Sequence, residues 1–256
     1  MTLSSTRIRA GVRPTEVLTT GAGEPLVFQH GGGIVEGFDF LDALDGRFRS
    51  VAPLMPGYGA SELEPPLTGP DDVAAHLLGV LDALGIERTV LVGHSLGGWA
   101  AVNFAARNPD RVSELVLAAP LGLDVPGHPI ANMMALSPAD RLTTLTYKSE
   151  VWEGRIPAEP DPAFAAARAR EHASMGHFAP GPHDPELKGV LPRITMPTLL
   201  LWGEGDRLIP VAHLREWQAA IPHASVTTFP GAGHLLFHER PAALTAVTSF
   251  VDARRA

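Results

Sequence analysis

Residues 89–101 read TVLVGHSLGGWAA, and no other stretch constrains the fold as much. It opens on aliphatic and β-branched residues at strand length and closes on helix formers, with one serine and three glycines between them. A strand that turns directly into a helix belongs to an architecture in which parallel strands alternate with covering helices. The flanking sequence keeps that alternation. EPLVFQHGGG (24–33) reads as a strand entering a glycine loop, and RSVAPL (49–54) as a strand stopped by Pro56-Gly57. DDVAAHLLGVLDALG opens on Asp71 and Asp72, carries Val73, Leu77, Val80, Leu81 and Leu84 at helical spacing, and stops at Gly85. After the central stretch come a helix ended before Pro109, the strand SELVLAAP, the strand PTLLLWG, the helix VAHLREWQAAI, the strand SVTTF and a last helix from Pro241. The pattern predicts an α/β fold with a doubly wound, mostly parallel sheet.

One segment departs from it. Between residues 121 and 194 no strand pattern occurs; proline and histidine are dense, and ALSPADRLTTLTYKSEVWEG and DPAFAAARAREHASM read as helical pieces. A connection of this length between two strands is far beyond an ordinary loop, which predicts an inserted cap; the competing reading is a partly disordered loop. The expected division is a core of residues 1–120 and 195–256, with the cap at 121–194. A chain of 256 residues that is 45% hydrophobic can bury a core of this size. Its net charge of −8 argues against nucleic acid or an anionic membrane surface as a partner. No apolar run reaches secretory or membrane-spanning length, so the expectation is a cytoplasmic protein. The chain has no cysteine, which rules out a thiolate nucleophile or a cysteine-ligated metal.

Gly93-His94-Ser95-Leu96-Gly97 fits a G-x-S-x-G turn between strand and helix. Side chains at the flanking positions of so tight a turn would collide, hence glycine. The serine is then held exposed above the sheet, with the N–H of Leu96 aimed at a developing oxyanion. The competing reading is a plain glycine turn with an incidental serine. A serine nucleophile needs a base and an orienting acid. GEGD places Asp206 just past a strand end, with Glu204 its nearest substitute, and GAGH places His234 between the last strand and the last helix. The order Ser95, Asp206, His234 is the one this turn calls for. His238 competes with His234 but precedes ERP and reads as a capping or surface residue, and His94 reads as packing.

HGGG (30–33) admits three readings. A phosphate loop lacks its lysine, and a dinucleotide loop lacks its spacing. The third is an oxyanion loop, with Gly32 as donor and Gly33 as the neighbour that could replace it or touch substrate. Of the eleven histidines, His172, His177 and His183 are the densest group, but no metal-ligand spacing occurs and no metal is expected.

Taken in order, HGGG, PGYGAS, GHSLGG, GEGD and GAGH resemble the α/β-hydrolase superfamily over nearly the whole chain. The resemblance implies an eight-stranded, mostly parallel sheet, a helical cap after the sixth strand, and a Ser-His-Asp mechanism that needs no cofactor. Serine at the turn separates the chain from the haloalkane dehalogenase and epoxide hydrolase branches, which carry aspartate there. HGGG is also similar to the meta-cleavage-product hydrolases, although their Pro-Gly after that run and their Ser-Met-Gly-Gly turn are absent. The leading expectation is therefore hydrolysis of a small carboxylic ester or related acyl substrate. Carbon–carbon bond hydrolysis and a non-catalytic small-molecule receptor are the alternatives. Met133, Met134 and Phe178, with Trp152 and Phe164, are the cap residues that could line a pocket; ordinary cap packing is the competing reading for each. Oligomeric state is not legible.

Overall fold

The structure, a computed structural model, describes residues 3–34, 37–152, 161–179 and 181–255; the side chains of residues 134, 138, 150 and 151 lie outside that description. Eight strands form one sheet: β1 (Ser4–Ala10), β2 (Arg13–Thr20), β3 (Glu24–Gln29), β4 (Phe48–Pro53), β5 (Thr89–His94), β6 (Val112–Ala118), β7 (Thr198–Gly203) and β8 (Ser225–Phe229). Their spatial order is β1-β2-β4-β3-β5-β6-β7-β8. From β4 to β8 every pairing is parallel, whereas β1–β2 and β2–β4 are antiparallel. Every residue of β5 and β7 is buried, which is why both read as continuous apolar runs with no alternation.

The core helices read from the sequence spacing are all present. The first, α1 (Pro70–Ala83), begins with proline in its first turn and is followed by Gly85 at φ +64°. The second, α2 (Leu96–Arg107), starts immediately after β5, packs on β3, β5 and β6, and meets α1. Between β6 and β7 lie α3 (Pro138–Leu145), α4 (Pro162–Phe178) and α5 (Leu187–Val190), and the only pairing of this segment is an isolated bridge between Gly122 and His183 among the described residues. The first expected helical piece is shorter than its pattern: α3 ends at Leu145, a separate 3-10 turn covers Ser149–Trp152, and the rest of that piece lies outside the described residues. The chain closes with α6 (His213–Ala220), α7 (Leu236–Glu239) and α8 (Pro241–Asp252).

The order of connections decides where a site can form. From β3 the chain steps outward to β4, then crosses back over β3 to enter β5 on its other side. The carboxyl ends of β3 and β5 therefore flank a topological switch point, where parallel sheets leave a crevice. HGGG leaves β3 at that crevice and Ser95 leaves β5.

Candidate active site

Ser95 sits at φ +57°, ψ −120°, in a region that side-chain-bearing residues avoid. Its surroundings enforce that backbone. The Ser95 N–H donates to the Ala118 carbonyl (3.0 Å), and its own carbonyl accepts from Gly98 (2.9 Å) and Leu121 (3.0 Å). A Cβ on Gly93 would strike the Gly97 carbonyl and, at 2.8 Å, the Ala101 side chain; a Cβ on Gly97 would strike the Gln29 backbone. The two glycines thus let α2 press against the ends of β3 and β5. Leu96 is the first residue of α2, so its N–H belongs to the turn whose amides have no helical acceptor.

The loop after β3 packs directly on this turn. A Cβ on Gly31 would lie 3.4 Å from both the Ser95 Cβ and the His94 Nδ1. His30 is buried and fixes the loop: its Nδ1–H donates to the Gly31 carbonyl (2.8 Å), and its Nε2 accepts from the Met55 N–H (2.9 Å). Burial lowers its pKa to about 4, so the ring is neutral in the folded chain. Gly32 and Gly33 face α4, where Cβ atoms would meet the Met175 sulfur at 3.4 Å and the Arg168 guanidinium at 3.0 Å. Arg168 also pairs with the buried Glu171.

Asp206 and His234 come together from different loops. The His234 Nδ1–H donates to Asp206 Oδ2 at 2.7 Å, with both side chains almost wholly shielded from solvent. The other carboxylate oxygen, Oδ1, accepts from the N–H groups of Leu208 and Ile209, both at 2.9 Å, which fixes the plane of the carboxylate. This leaves the His234 Nε2 as the nitrogen with a lone pair. The Ser95 hydroxyl forms no hydrogen bond with His234 among the described residues. His94 links the two loops: its Nε2–H donates to the His234 carbonyl (2.8 Å) and the ring centroids are 4.7 Å apart. Burial, then the neighbouring His234, pushes the His94 pKa well below the ordinary histidine value. His94 is therefore a support beneath the His234 loop, a role its place in the turn did not signal.

The other carboxylates and histidines near strand ends take different partners. Asp124 is exposed and stands 3.8 Å from His183, and Glu204 accepts from the Thr228 hydroxyl (2.8 Å). His238 corrects the capping or surface expectation: its side chain is buried between Phe40 (4.8 Å) and Trp152 (5.2 Å), and its Nε2–H donates to the Gly37 carbonyl. Phe178 is buried and stacks on Trp99 of α2 at 6.2 Å, while Met133 is half-buried in a 3-10 turn and the Met134 side chain lies outside the described residues. The residues that do stand over the glycine loop, Arg168 and Met175, belong to α4, whose helical spacing carried no apolar stripe to single them out.

A parallel sheet with a serine on a left-handed turn at its switch point, together with a buried His–Asp pair on later loops, is the architecture of α/β hydrolases. The model of the alpha/beta hydrolase family matches residues 26–247, and the chain belongs to that family. It is 30% identical to the 2-hydroxymuconate semialdehyde hydrolase of Pseudomonas sp. (strain CF600), across 89% of this chain and 86% of that protein. Two solved structures share the fold. The 2-hydroxy-6-oxo-6-phenylhexa-2,4-dienoate hydrolase from Rhodococcus sp. strain RHA1 has a TM-score of 0.80 and 21% identity, covering 100% of this chain and 99% of that one. Naproxen esterase from Bacillus subtilis has a TM-score of 0.76 and 24% identity, covering 98% of this chain and 92% of that one.

Proposed function

We propose that the protein is a serine hydrolase of small carboxylic esters or related acyl compounds, working through an acyl-enzyme and needing no cofactor. Ser95 attacks the acyl carbon, and the His234 Nε2 takes its proton and returns it to the leaving group. Asp206 holds the imidazole in the tautomer that accepts, and the N–H groups of Gly32 and Leu96 receive the oxyanion. The buried 2.7 Å contact between Asp206 and His234, beside a serine kept at positive φ, carries this reading. A hydrogen bond between serine and base that is absent at rest commonly forms when substrate closes the site. Residues 121–194 act as a cap in this mechanism. Met175 and Arg168 of α4 roof the oxyanion loop and exclude water from it, and Gly33, Met133, Met134 and Phe178 are the remaining residues through which the cap would set pocket shape.

Carbon–carbon bond hydrolysis is the second reading, favoured by the likeness to the semialdehyde hydrolase and by a guanidinium over the glycine loop. The chain's Ser-Leu-Gly-Gly turn weighs towards esters. One panel separates the two: p-nitrophenyl esters of graded chain length beside a ring-cleavage dienoate, each with fluorophosphonate labelling of Ser95. Ester turnover well above dienoate turnover is the expected result. Labelling without turnover of either would make the protein a receptor on a hydrolase fold.

A further inference from the structure

The loop that carries His234 is not held by the sheet alone. Where the chain leaves α3, its backbone lies directly on the two glycine motifs around the acid and the base. The N–H groups of His234 and Leu235 both donate to the Leu145 carbonyl, at 2.9 and 3.1 Å. A Cβ on Gly233 would lie 2.6 Å from the Tyr147 nitrogen and 2.8 Å from the Thr146 carbonyl carbon, and one on Gly205 would strike the Tyr147 ring. Arg207, the neighbour of Asp206, donates to the Thr143 carbonyl at 2.7 Å and to that of Thr146 at 3.4 Å.

One side chain spans this seam. Glu239, at the end of α7, accepts from the Gly233 N–H through Oε2 (2.6 Å) and from the Tyr147 N–H through Oε1 (2.7 Å). The first bond closes the His234 loop on itself, from the residue before the histidine to the end of the helix after it. The second ties that loop to the inserted segment. Only a carboxylate offers an acceptor to both amides, since an amide side chain would present its own N–H₂ group to one of them.

The geometry points to Glu239 as a positioning residue that couples the seating of the inserted segment at residues 145–147 to the orientation of His234. The inference rests on His234 being the base. When the segment is seated, the backbone from Gly233 to Leu235 is held by Glu239 at the Gly233 N–H, by Leu145 at the His234 and Leu235 N–H groups, and by His94 at the His234 carbonyl. When it lifts, the imidazole keeps Asp206 but loses the peptide geometry that aims Nε2 at Ser95. The site is thereby assembled fully only under a closed cap.

The test compares Glu239→Gln with Tyr147→Pro, which removes the other N–H without touching the carboxylate, and with the double variant. Steady-state kinetics on the best ester, the rate of fluorophosphonate labelling and the melting temperature are read for each. The expected result is a loss of about 10- to 100-fold in kcat for each single variant, with KM within about twofold and labelling slowed in parallel, because a misaim near 1 Å has that cost. The double variant should lose no more than the worse single one. A wild-type kcat in Glu239→Gln, or a purely raised KM, would overturn the proposal while leaving the triad intact. Should Glu239→Gln not fold, Tyr147→Pro alone decides by the same criteria. An active His234→Ala variant would instead remove the triad reading on which the proposal stands.

Discussion

The two halves of the candidate site are held by different parts of the molecule. Ser95 is fixed by the sheet and by α2: its N–H and carbonyl are bonded to Ala118, Gly98 and Leu121, and the glycines beside it are forced by contacts with β3, α2 and the turn itself. Beyond its bond from His94 of the serine turn, His234 is fixed across a seam, through Leu145, Tyr147 and Glu239, to the segment inserted between β6 and β7. Packing of the first kind changes only when the domain unfolds, whereas a seam formed by a few hydrogen bonds to a segment from elsewhere in the chain can open locally. In the proposed mechanism the nucleophile is therefore built into the core, and the aim of the base would depend on how the inserted segment is seated.

The largest effects should come from the reacting groups, where this difference does not matter. Ser95→Ala should lower kcat on the order of 10⁴-fold or more with the melting temperature retained. Residual turnover of a tenth or more would remove the serine from the mechanism. Asp206→Asn should reach about 10⁴-fold, because the amide favours the wrong imidazole tautomer, with little change in KM. Asp124→Asn serves as its counterpart, since that exposed carboxylate faces His183 and not the His234 ring. A larger loss at Asp124 would transfer the acid's role to it.

A pair of glycine substitutions tests the comparison itself. Gly97→Ala drives a methyl into the Gln29 backbone inside the core, and Gly233→Ala drives one into the Tyr147 and Thr146 backbone at the seam. The core variant should cost about 1–3 kcal/mol or more in urea unfolding, as overpacking against immovable backbone does. At the seam the segment can lift away, so Gly233→Ala should spare stability and lower kcat instead. Equal destabilisation by both would mean that the seam is as much a part of the core as the serine turn.

The same contrast governed what could be read from the sequence. The Ser95 turn, the strand before it and the helix after it were legible because their contacts are local: tight sterics between residues four apart dictate glycine at fixed spacing. The motifs GEGD and GAGH located Asp206 and His234, yet the reason for Gly205 and Gly233 lies in Tyr147, far along the chain, and was not visible. The β1–β2 hairpin passed unread for a different cause. SSTRIRA is an exposed edge strand with almost no buried face, so it carries no hydrophobic alternation, and β2 buries Arg13 and Thr15 where apolar residues would have announced it. In α4 the buried residues are Glu171, Ser174 and Phe178. A helix that docks through a glutamate and a serine leaves no apolar stripe, and so the two residues it sets over the glycine loop could not be picked out.

The smallest effect concerns acid. The loop beside the serine and the link from its turn to His234 rely on histidines that are neutral when folded: burial brings His30 to about 4 and pushes His94 well below its ordinary value. An unfolded histidine titrates near 6.5. Between those values the unfolded chain binds protons that the native His30 cannot, so native stability is full above about pH 6.5 and falls as pH drops towards 4. The slope for one such histidine approaches about 1.4 kcal/mol per pH unit, or about 3 kcal/mol over the whole window. His76, also held near 4 by burial, adds to the slope without belonging to the site. Urea unfolding of the wild type and of His30→Gln at several values between pH 4.5 and 7 isolates the His30 share. The variant has lost the ring that joins Gly31 to Met55, so it should be less stable at pH 7, yet its stability should fall less steeply with acid, by about 1.4 kcal/mol per pH unit at most. Parallel curves for the two proteins would show that His30 is protonated as readily when folded as when unfolded. The loop after β3 would then be open to water, and the serine half of the site would be no more firmly held than the histidine half.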